Sequence, residues 1–503
     1  MGNLESIRYF APEGFLSVFI ITFLIAGLLR RKTFSKSSFS CIAGTAGLFL
    51  TLILELCINT GYPDAIVIFS GMLKLDALSH LFKILCISSS ILLFLFSYSS
   101  RETSDSLKEP MEYALLILSC TLGMMLLVSS SNLLMMYLSL EFLSLTAYML
   151  TGFTDKNEKA SEAAMKYLLY GGAASGIMAY GLSLLYGITG SLDYSGIHRF
   201  IAENNSGIIL YISMIFIFTG LGFKIAAFPF HAWCPDVYEG ALTPFTAFLS
   251  VGPKAAGFAV IIRFFYQIFT VRGEGDVLTV LGSADWPAML AIISALTMTF
   301  GNLAALRQKN IKRLLAYSSI AHAGYMLMAA ASLTILGIVS VFFYLSVYFL
   351  MNFGAFLVVI AVSNEFNSDE IEDYEGLAWK NSKGAFLASM FAVFLFSLIG
   401  TPPFAGFIGK FYLLLSILQP ENPIYWLAVV AVINIIISLY YYARILKTMF
   451  LSRRQKGTAL SGFERGQYLQ YSLMAGLALF SIIFGIYWSP LNNISMLLEN
   501  FIH

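Results

Sequence analysis

Long unbroken apolar runs, separated by short polar links, fill this chain from end to end. A helix needs about 20 mostly apolar residues to cross a bilayer. By that measure the pattern predicts fourteen crossings, near residues 9–29, 40–60, 77–98, 113–129, 132–153, 161–186, 207–230, 241–268, 284–306, 313–331, 333–363, 384–419, 423–450 and 467–490. The runs are continuous rather than alternating with period two, which argues against a membrane β-barrel. The longest polar link, 364–383, is only a loop. Arg30, Arg31 and Lys32 follow the first run, whereas a signal peptide carries its positive charge in front, so this run is expected to be a retained anchor. The expected fold is therefore all-α and polytopic.

Composition agrees. Of 503 residues, 58% are hydrophobic and 12% charged, against about 25% charged in a soluble domain. A net charge of +1 gives no footprint for nucleic acid. Cys41, Cys57, Cys86, Cys120 and Cys234 stand far apart, without the spacing of an iron–sulfur site, a zinc site or a disulfide framework. Neither a dinucleotide fingerprint nor a phosphate loop occurs, so no nucleotide site, redox centre or metal site is expected in this chain. The 44 Phe and 20 Met read as packing and lipid-facing bulk.

Loop charges set the orientation. With the N-terminus outside, inner loops collect twenty Lys and Arg, among them Arg30, Arg101, Lys159, Arg307, Lys312 and Arg444. Six fall on the outer side: Arg8, Lys74, Lys83, Arg199, Arg263 and Arg272. The bias predicts both termini outside.

Four lysines remain within the runs: Lys166, Lys224, Lys254 and Lys410. A lysine at a helix centre costs roughly 2.5–3.5 kcal/mol on insertion scales, so such residues need a reason. Lys166 lies one to two turns into its run and can snorkel to the headgroups. The other three are deeper. Glu141 sits mid-run in the fifth crossing and Glu55 in the second. A lone buried Glu can simply be protonated, the simpler reading for Glu55. Glu141 has lysines on the next two crossings and is expected to lie close to Lys224, directly or through one water. A coupled Glu–Lys pair can switch the lysine between charged and neutral, as a proton pump requires. His322 reads equally as a proton relay or a packing residue. His231 is placed near the inner interface with Trp233 as an aromatic anchor, and His80 and His198 are placed at interfaces or in loops.

Prolines mark expected helix breaks beside the deep lysines: Pro229 after Lys224, Pro253 directly before Lys254, and Pro402 and Pro403 ahead of Lys410. Interrupted helices at membrane depth point to a hydrated ion path. The breaks in crossings seven and twelve are five apart in the series. Crossings 4–8 and 9–13 would then form two five-helix units inverted relative to one another. The corresponding division is 1–112 (three helices), 113–268 (first repeat), 269–450 (second repeat) and 451–503 (a loop and the last helix).

Particular motifs carry a family resemblance. Gly220-Leu221-Gly222-Phe223-Lys224, Pro229-Phe230-His231-Ala232-Trp233-Cys234-Pro235-Asp236-Val237-Tyr238-Glu239-Gly240, Asn310-Ile311-Lys312-Arg313-Leu314-Leu315-Ala316-Tyr317-Ser318-Ser319-Ile320 and Gly406-Phe407-Ile408-Gly409-Lys410-Phe411 resemble the antiporter-like membrane subunits of respiratory complex I. Tyr374-Glu375-Gly376-Leu377 and Tyr440-Tyr441-Tyr442-Ala443-Arg444 look most like its subunit N branch, as does Lys410 where sister subunits often carry Glu. The resemblance implies fourteen helices, inverted repeats with helices seven and twelve broken, and proton-transfer roles for Glu141, Lys224, Lys254 and Lys410, with Lys166 also matching a family lysine. It further implies a proton-translocating subunit of NADH:quinone oxidoreductase in a bacterial inner membrane, among other membrane subunits of the complex. NADH and quinone, with flavin and iron–sulfur clusters, would be held by partner chains. The alternatives are a subunit of a multisubunit Na⁺/H⁺ antiporter or membrane-bound hydrogenase, a stand-alone solute transporter, and a structural scaffold.

Overall fold

The structure, a computed structural model, describes residues 3–29, 37–59, 65–154, 157–204, 207–273, 278–282, 285–419, 423–452 and 467–502. Arg30, Arg31, Lys32 and several other loop charges used above for orientation lie outside the described residues. The main helices are α1 (Ala11–Leu29), α2 (Ser37–Asn59), α3 (Ala77–Ser99), α4 (Pro110–Ser129), α5 (Leu133–Thr151), α6 (Glu158–Thr189), α7 (Gly207–Ile225), α8 (Trp233–Gly240), α9 (Thr243–Ile268), α10 (Trp286–Ala305), α11 (Ile311–Ala330), α12 (Ile335–Phe366), α13 (Ser382–Ile399), α14 (Ala405–Leu418), α15 (Tyr425–Leu451) and α16 (Tyr468–Ile486). Two small hairpins, β1 (Ile66–Ile68) with β2 (Leu73–Leu75) and β3 (Thr270–Arg272) with β4 (Leu278–Val280), are both antiparallel.

Among the described residues, thirteen helices are long and apolar enough to cross a membrane. The chain is a multi-pass membrane protein. The fourteenth expected crossing, α11, has the length but not the apolarity, because Lys312, Arg313, Ser318, Ser319 and His322 ride on it. Its polar residues face protein: all of these but Arg313 are buried.

The helix contacts repeat. In the first unit α4 packs on α5, α5 on α6, α6 on both α7 and α8, and α9 closes against α4, α5, α7 and α8. In the second, α10 packs on α11, α11 on α12, α12 on both α13 and α14, and α15 closes against α10, α11, α13 and α14. Five crossings separate the starts of the two units, so they enter the membrane from opposite sides. The units join where α9 meets α12 and α8 meets α11. Helix α9 is also covered by α3 and has no residue in contact with the surroundings over its most apolar stretch. It is the buried axis of the molecule.

The two expected breaks are present, with different chemistry. Helix α7 ends at Ile225, and Ala226 takes a left-handed backbone (φ +59°), ahead of Pro229. Freed backbone groups find partners, as membrane depth demands. Phe228 N–H donates to the Thr297 hydroxyl of α10 at 3.0 Å, and the Trp233 indole donates to the Phe223 carbonyl at 3.1 Å. Trp233 is therefore a buried cap of the break, stacked 4.3 Å from Tyr167, and not an interfacial anchor. Between α13 and α14 the turn starts at Gly400 (φ +86°) and passes through Pro402 and Pro403. The third expected break is absent: Pro253 lies inside a continuous α9. A proline removes one backbone bond, and dense packing on every side of α9 keeps the helix running across that gap.

Candidate functional site

Three lysines converge on the interior from three helices, each at most 5% exposed. Lys224 occupies the last turn of α7 and donates to the Ser144 hydroxyl of α5 at 3.2 Å. Glu141, one turn earlier on α5, is half-buried and accepts from the Ser175 hydroxyl of α6, which also meets Tyr137. Glu141 and Lys224 make no direct ion pair among the described residues, so of the two expected arrangements, direct or through one water, the direct one is not formed. Ser175 takes the Glu141 carboxylate and Ser144 the Lys224 ammonium.

Lys254, in the middle of α9, donates to both the carbonyl (3.1 Å) and the hydroxyl (2.6 Å) of Ser319 on α11. Tyr238 of α8 meets the same hydroxyl at 3.4 Å. One turn along α11, His322 is held between Tyr344 of α12 (2.6 Å from Nδ1) and Tyr442 of α15 (3.3 Å from Nε2). Ser318 also bonds Tyr442. A further turn on stands Tyr325, its ring 5.1 Å beneath the Lys410 ammonium. Ser318, Ser319, His322 and Tyr325 thus form one stripe of α11, spaced three and four apart as one helix face requires. The stripe spans the distance from Lys254 to Lys410.

Lys410 shows what a helix break supplies. Its ammonium donates to the carbonyls of Leu398 (2.8 Å) and Ile399 (2.9 Å), the unsatisfied end of α13. The negative end of a helix dipole stabilises a cation there. Gly400 and Lys410 are packed so closely that a Cβ at 400 would sit 2.9 Å from Lys410 Cδ.

Lys166 stands apart from this chain. It is 37% exposed and pairs with Glu162 and with Asp236 of α8, each at 2.6 Å. Arg313 of α11 also grips Asp236 (2.6 Å) and Glu239 (2.9 Å), and Lys159 reaches Glu239 at 2.8 Å. A cavity of about 120 Å³ opens among these groups. His231 stacks on Phe228 within the α7–α8 break.

Sequence reasoning missed a second set of buried charges. His80 and Lys83, assigned to the interface and the outer loops, lie inside α3 and are 3% and 1% exposed. Lys83 meets Glu13 of α1, and His80 meets Glu55 of α2, so Glu55 is paired rather than lone. Arg263, also counted as an outer charge, is wholly buried in α9 and makes a two-pronged bond to Asp76, the N-cap of α3, at 2.7 Å for each prong. Burial pushes the Asp76 carboxyl up, but the Arg263 guanidinium, together with Lys74 and the Ser79 N–H, holds it below the usual carboxylate range. The signal was available: both cations fall inside runs that were themselves assigned to the membrane.

Residues 130–438 match the family described as NADH:quinone oxidoreductase/Mrp antiporter, TM. A protein of Anaeromyxobacter sp. (strain Fw109-5) named NADH-quinone oxidoreductase subunit N is 40% identical, covering 97% of this chain and 96% of its own. One of Chloroherpeton thalassium, NADH-quinone oxidoreductase subunit N 2, is 41% identical over 96% of this chain and 92% of its own. Among solved structures, a chain of respiratory complex I from Thermus thermophilus with bound aureothin is 30% identical with a TM-score of 0.77, covering 96% of this chain and 98% of that one.

Proposed function

This chain belongs to the NADH:quinone oxidoreductase/Mrp antiporter family, among the subunits N of NADH-quinone oxidoreductase, and from that premise we propose how it moves protons. The route runs from Glu141 and Lys224 in the first repeat through Lys254, along Ser319 and His322 of α11, to Lys410 in the second. Lys166 serves the charge cluster at the end of α8 and stays off the route.

One observation carries the reading: the α11 stripe sets a polar side chain at each turn between Lys254 and Lys410, Ser319 on the first and Tyr325 beneath the second, with His322 between them. A lysine in low dielectric is poised between charged and neutral forms, so a charge arriving at one site biases its neighbour. Serine and tyrosine hydroxyls both donate and accept, and histidine carries a proton on either nitrogen. These are the groups a stepwise transfer uses.

The chain acts within an oxidoreductase complex in a bacterial inner membrane, both termini on the outer side as the loop charges favour. The other membrane subunits surround it, and quinone reduction by NADH at flavin and iron–sulfur centres in partner chains drives it. Segments 113–268 and 269–450 work as the two transfer units. Segment 1–112 precedes them, and 451–503 ends in a helix packed on the second unit.

The test is Lys254→Met in the assembled complex, since Met keeps the volume without a charge to desolvate. NADH-driven proton uptake by inverted vesicles should be lost while the complex still assembles. Normal uptake in an assembled Lys254→Met complex would falsify the route.

A further inference from the structure

The three N-terminal helices hold buried charges that the lysine route does not use. Glu13 lies in the first turn of α1, Glu55 near the end of α2, and His80 and Lys83 in the first two turns of α3. Lys83 Nζ is 2.6 Å from Glu13 Oε1 and 3.9 Å from Glu55 Oε1, and Glu55 Oε1 is 2.6 Å from His80 Nδ1. All four side chains are 4% exposed or less. Because α1 and α3 begin where α2 ends, the cluster sits at the end of the bundle that carries the N-terminus. The β1–β2 hairpin closes that end, packing Ile68, Leu73 and Leu75 against Tyr9 and Phe10.

The charges do not balance. Within the cluster two carboxylates face one ammonium, leaving one negative charge at a buried site, and uncompensated buried charge is strongly disfavoured. One proton shared among Glu13, Glu55 and His80 cancels it. The geometry leaves a place for that proton, because Glu13 Oε2 is buried without a hydrogen-bond partner among the described residues.

Around the cluster, Glu5 and Arg8 of the leading helix Asn3–Tyr9 and Glu499 of the segment Met496–Ile502 are exposed, and Lys74 lines an open pocket. Asp76, at the head of α3, is neutralised by Arg263 of α9, with Lys74 of β2 beside it. On α4, which packs against all three helices, Glu112 is exposed, Tyr113 bonds Ser97 near the far end of α3, and Cys120 lies midway along. Arg263 stands nine residues from Lys254, about 13 Å along the axis of α9. The Asp76–Arg263 bridge therefore ties this cluster to the helix at the centre of the lysine route.

We propose that Glu13, Glu55, His80 and Lys83 form a further proton-binding site that holds one exchangeable proton and trades it with the outer face. A proton reaching that end of the molecule neutralises the cluster and later leaves to water, restoring its single negative charge. The proposal rests on the lysine route described above and extends it to its outer end.

Charge arithmetic supplies the test. Glu13→Gln leaves one carboxylate against Lys83, so the cluster is neutral without its extra proton. In the assembled complex this variant should slow NADH-driven proton transfer into inverted vesicles about tenfold, the effect of one unit in a proton affinity. The double variant Glu13→Gln/Lys83→Met removes one charge of each sign and restores the need for a proton on Glu55 and His80. It should recover much of the lost rate. Cluster residues that only brace the helices would make the double variant no better than the single one, and that result overturns the proposal. If Glu13→Gln does not assemble, Glu55→Gln makes the same charge change and carries the same expectation. Lys254→Met is measured alongside. Pumping lost there but native in Glu13→Gln overturns this site alone, whereas pumping kept in Lys254→Met overturns the route beneath it.

Discussion

A buried lysine is tolerated when something answers its charge, and the three on the route are answered by neutral groups: a serine, a serine with its own carbonyl, and the end of a helix. Neutral partners leave the ammonium free to lose its proton, which a tight carboxylate would oppose. Lys254→Arg, which preserves the charge, should therefore abolish pumping as fully as the Met variant, since a guanidinium stays protonated. Native proton uptake by vesicles carrying Lys254→Arg would show that the residue does not cycle. Asp76 and Arg263 behave oppositely. Their two-pronged bond fixes both charges, and Asp76→Asn should destabilise the fold by about 3–5 kcal/mol by stranding the guanidinium. Thermal unfolding of the detergent-solubilised complex reads this directly. The folded Asp76 carboxyl titrates below its ordinary value of 3.8. Its stabilising effect is thus complete above that value and lost only as pH falls through the lower folded one. Unfolding near neutral pH should accordingly show no pH dependence from this pair. The lysines of the proposed route were legible because a cation deep within an apolar run is costly and needs a reason. Lys83 and Arg263 carried a weaker signal: they fall inside runs assigned to the membrane, but near the ends, where a cation can also reach headgroups.

At the scale of the element, the two breaks do different work. The α7 break is held by a side chain from another helix, Thr297, so its integrity depends on α10. Thr297→Val keeps the shape but leaves Phe228 N–H unpaired at membrane depth, a cost of about 1–3 kcal/mol. The expected outcome is an assembled complex with lower thermal stability and reduced pumping; unchanged values would mean that water replaces the hydroxyl. The α13–α14 break is local. Gly400→Ala forces a Cβ into a left-handed residue and against the Lys410 stem. The backbone cost alone is roughly 1–2 kcal/mol, and displacement of Lys410 from the α13 carbonyls should depress pumping more than assembly, as vesicle acidification against complex yield would report. Proline in the sequence flagged both positions. It also flagged Pro253, where the helix continues, because a single missing backbone bond breaks a helix only where the surroundings give the chain somewhere to go.

Across the whole molecule, the repeats meet at α8, α9, α11 and α12, and the proposed route passes from one to the other along α11. Ser319 and His322 then act in series. Ser319→Ala and His322→Gln should each lower pumping, and together they should cost far less than the product of their separate losses. Losses that multiply would place the two residues on separate paths.

The sequence alone determined the all-helical, many-crossing class, thirteen of the fourteen expected crossings, the break positions in the seventh and twelfth, and the depth of Lys224, Lys254 and Lys410. Each of these follows from local physics: the thickness of hydrocarbon, the missing N–H of proline and the cost of a lone charge in lipid. Tertiary structure decided which groups answer those charges. Only packing sets Ser319 of α11 against Lys254 of α9, turns the α13 carbonyls toward Lys410, gives the Glu141 carboxylate to Ser175, and gathers Glu13, Glu55, His80 and Lys83 from three helices. These contacts join residues 11 (Ile399 and Lys410) to 70 (Glu13 and Lys83) positions apart, and hydropathy along a chain does not record which neighbour a residue faces.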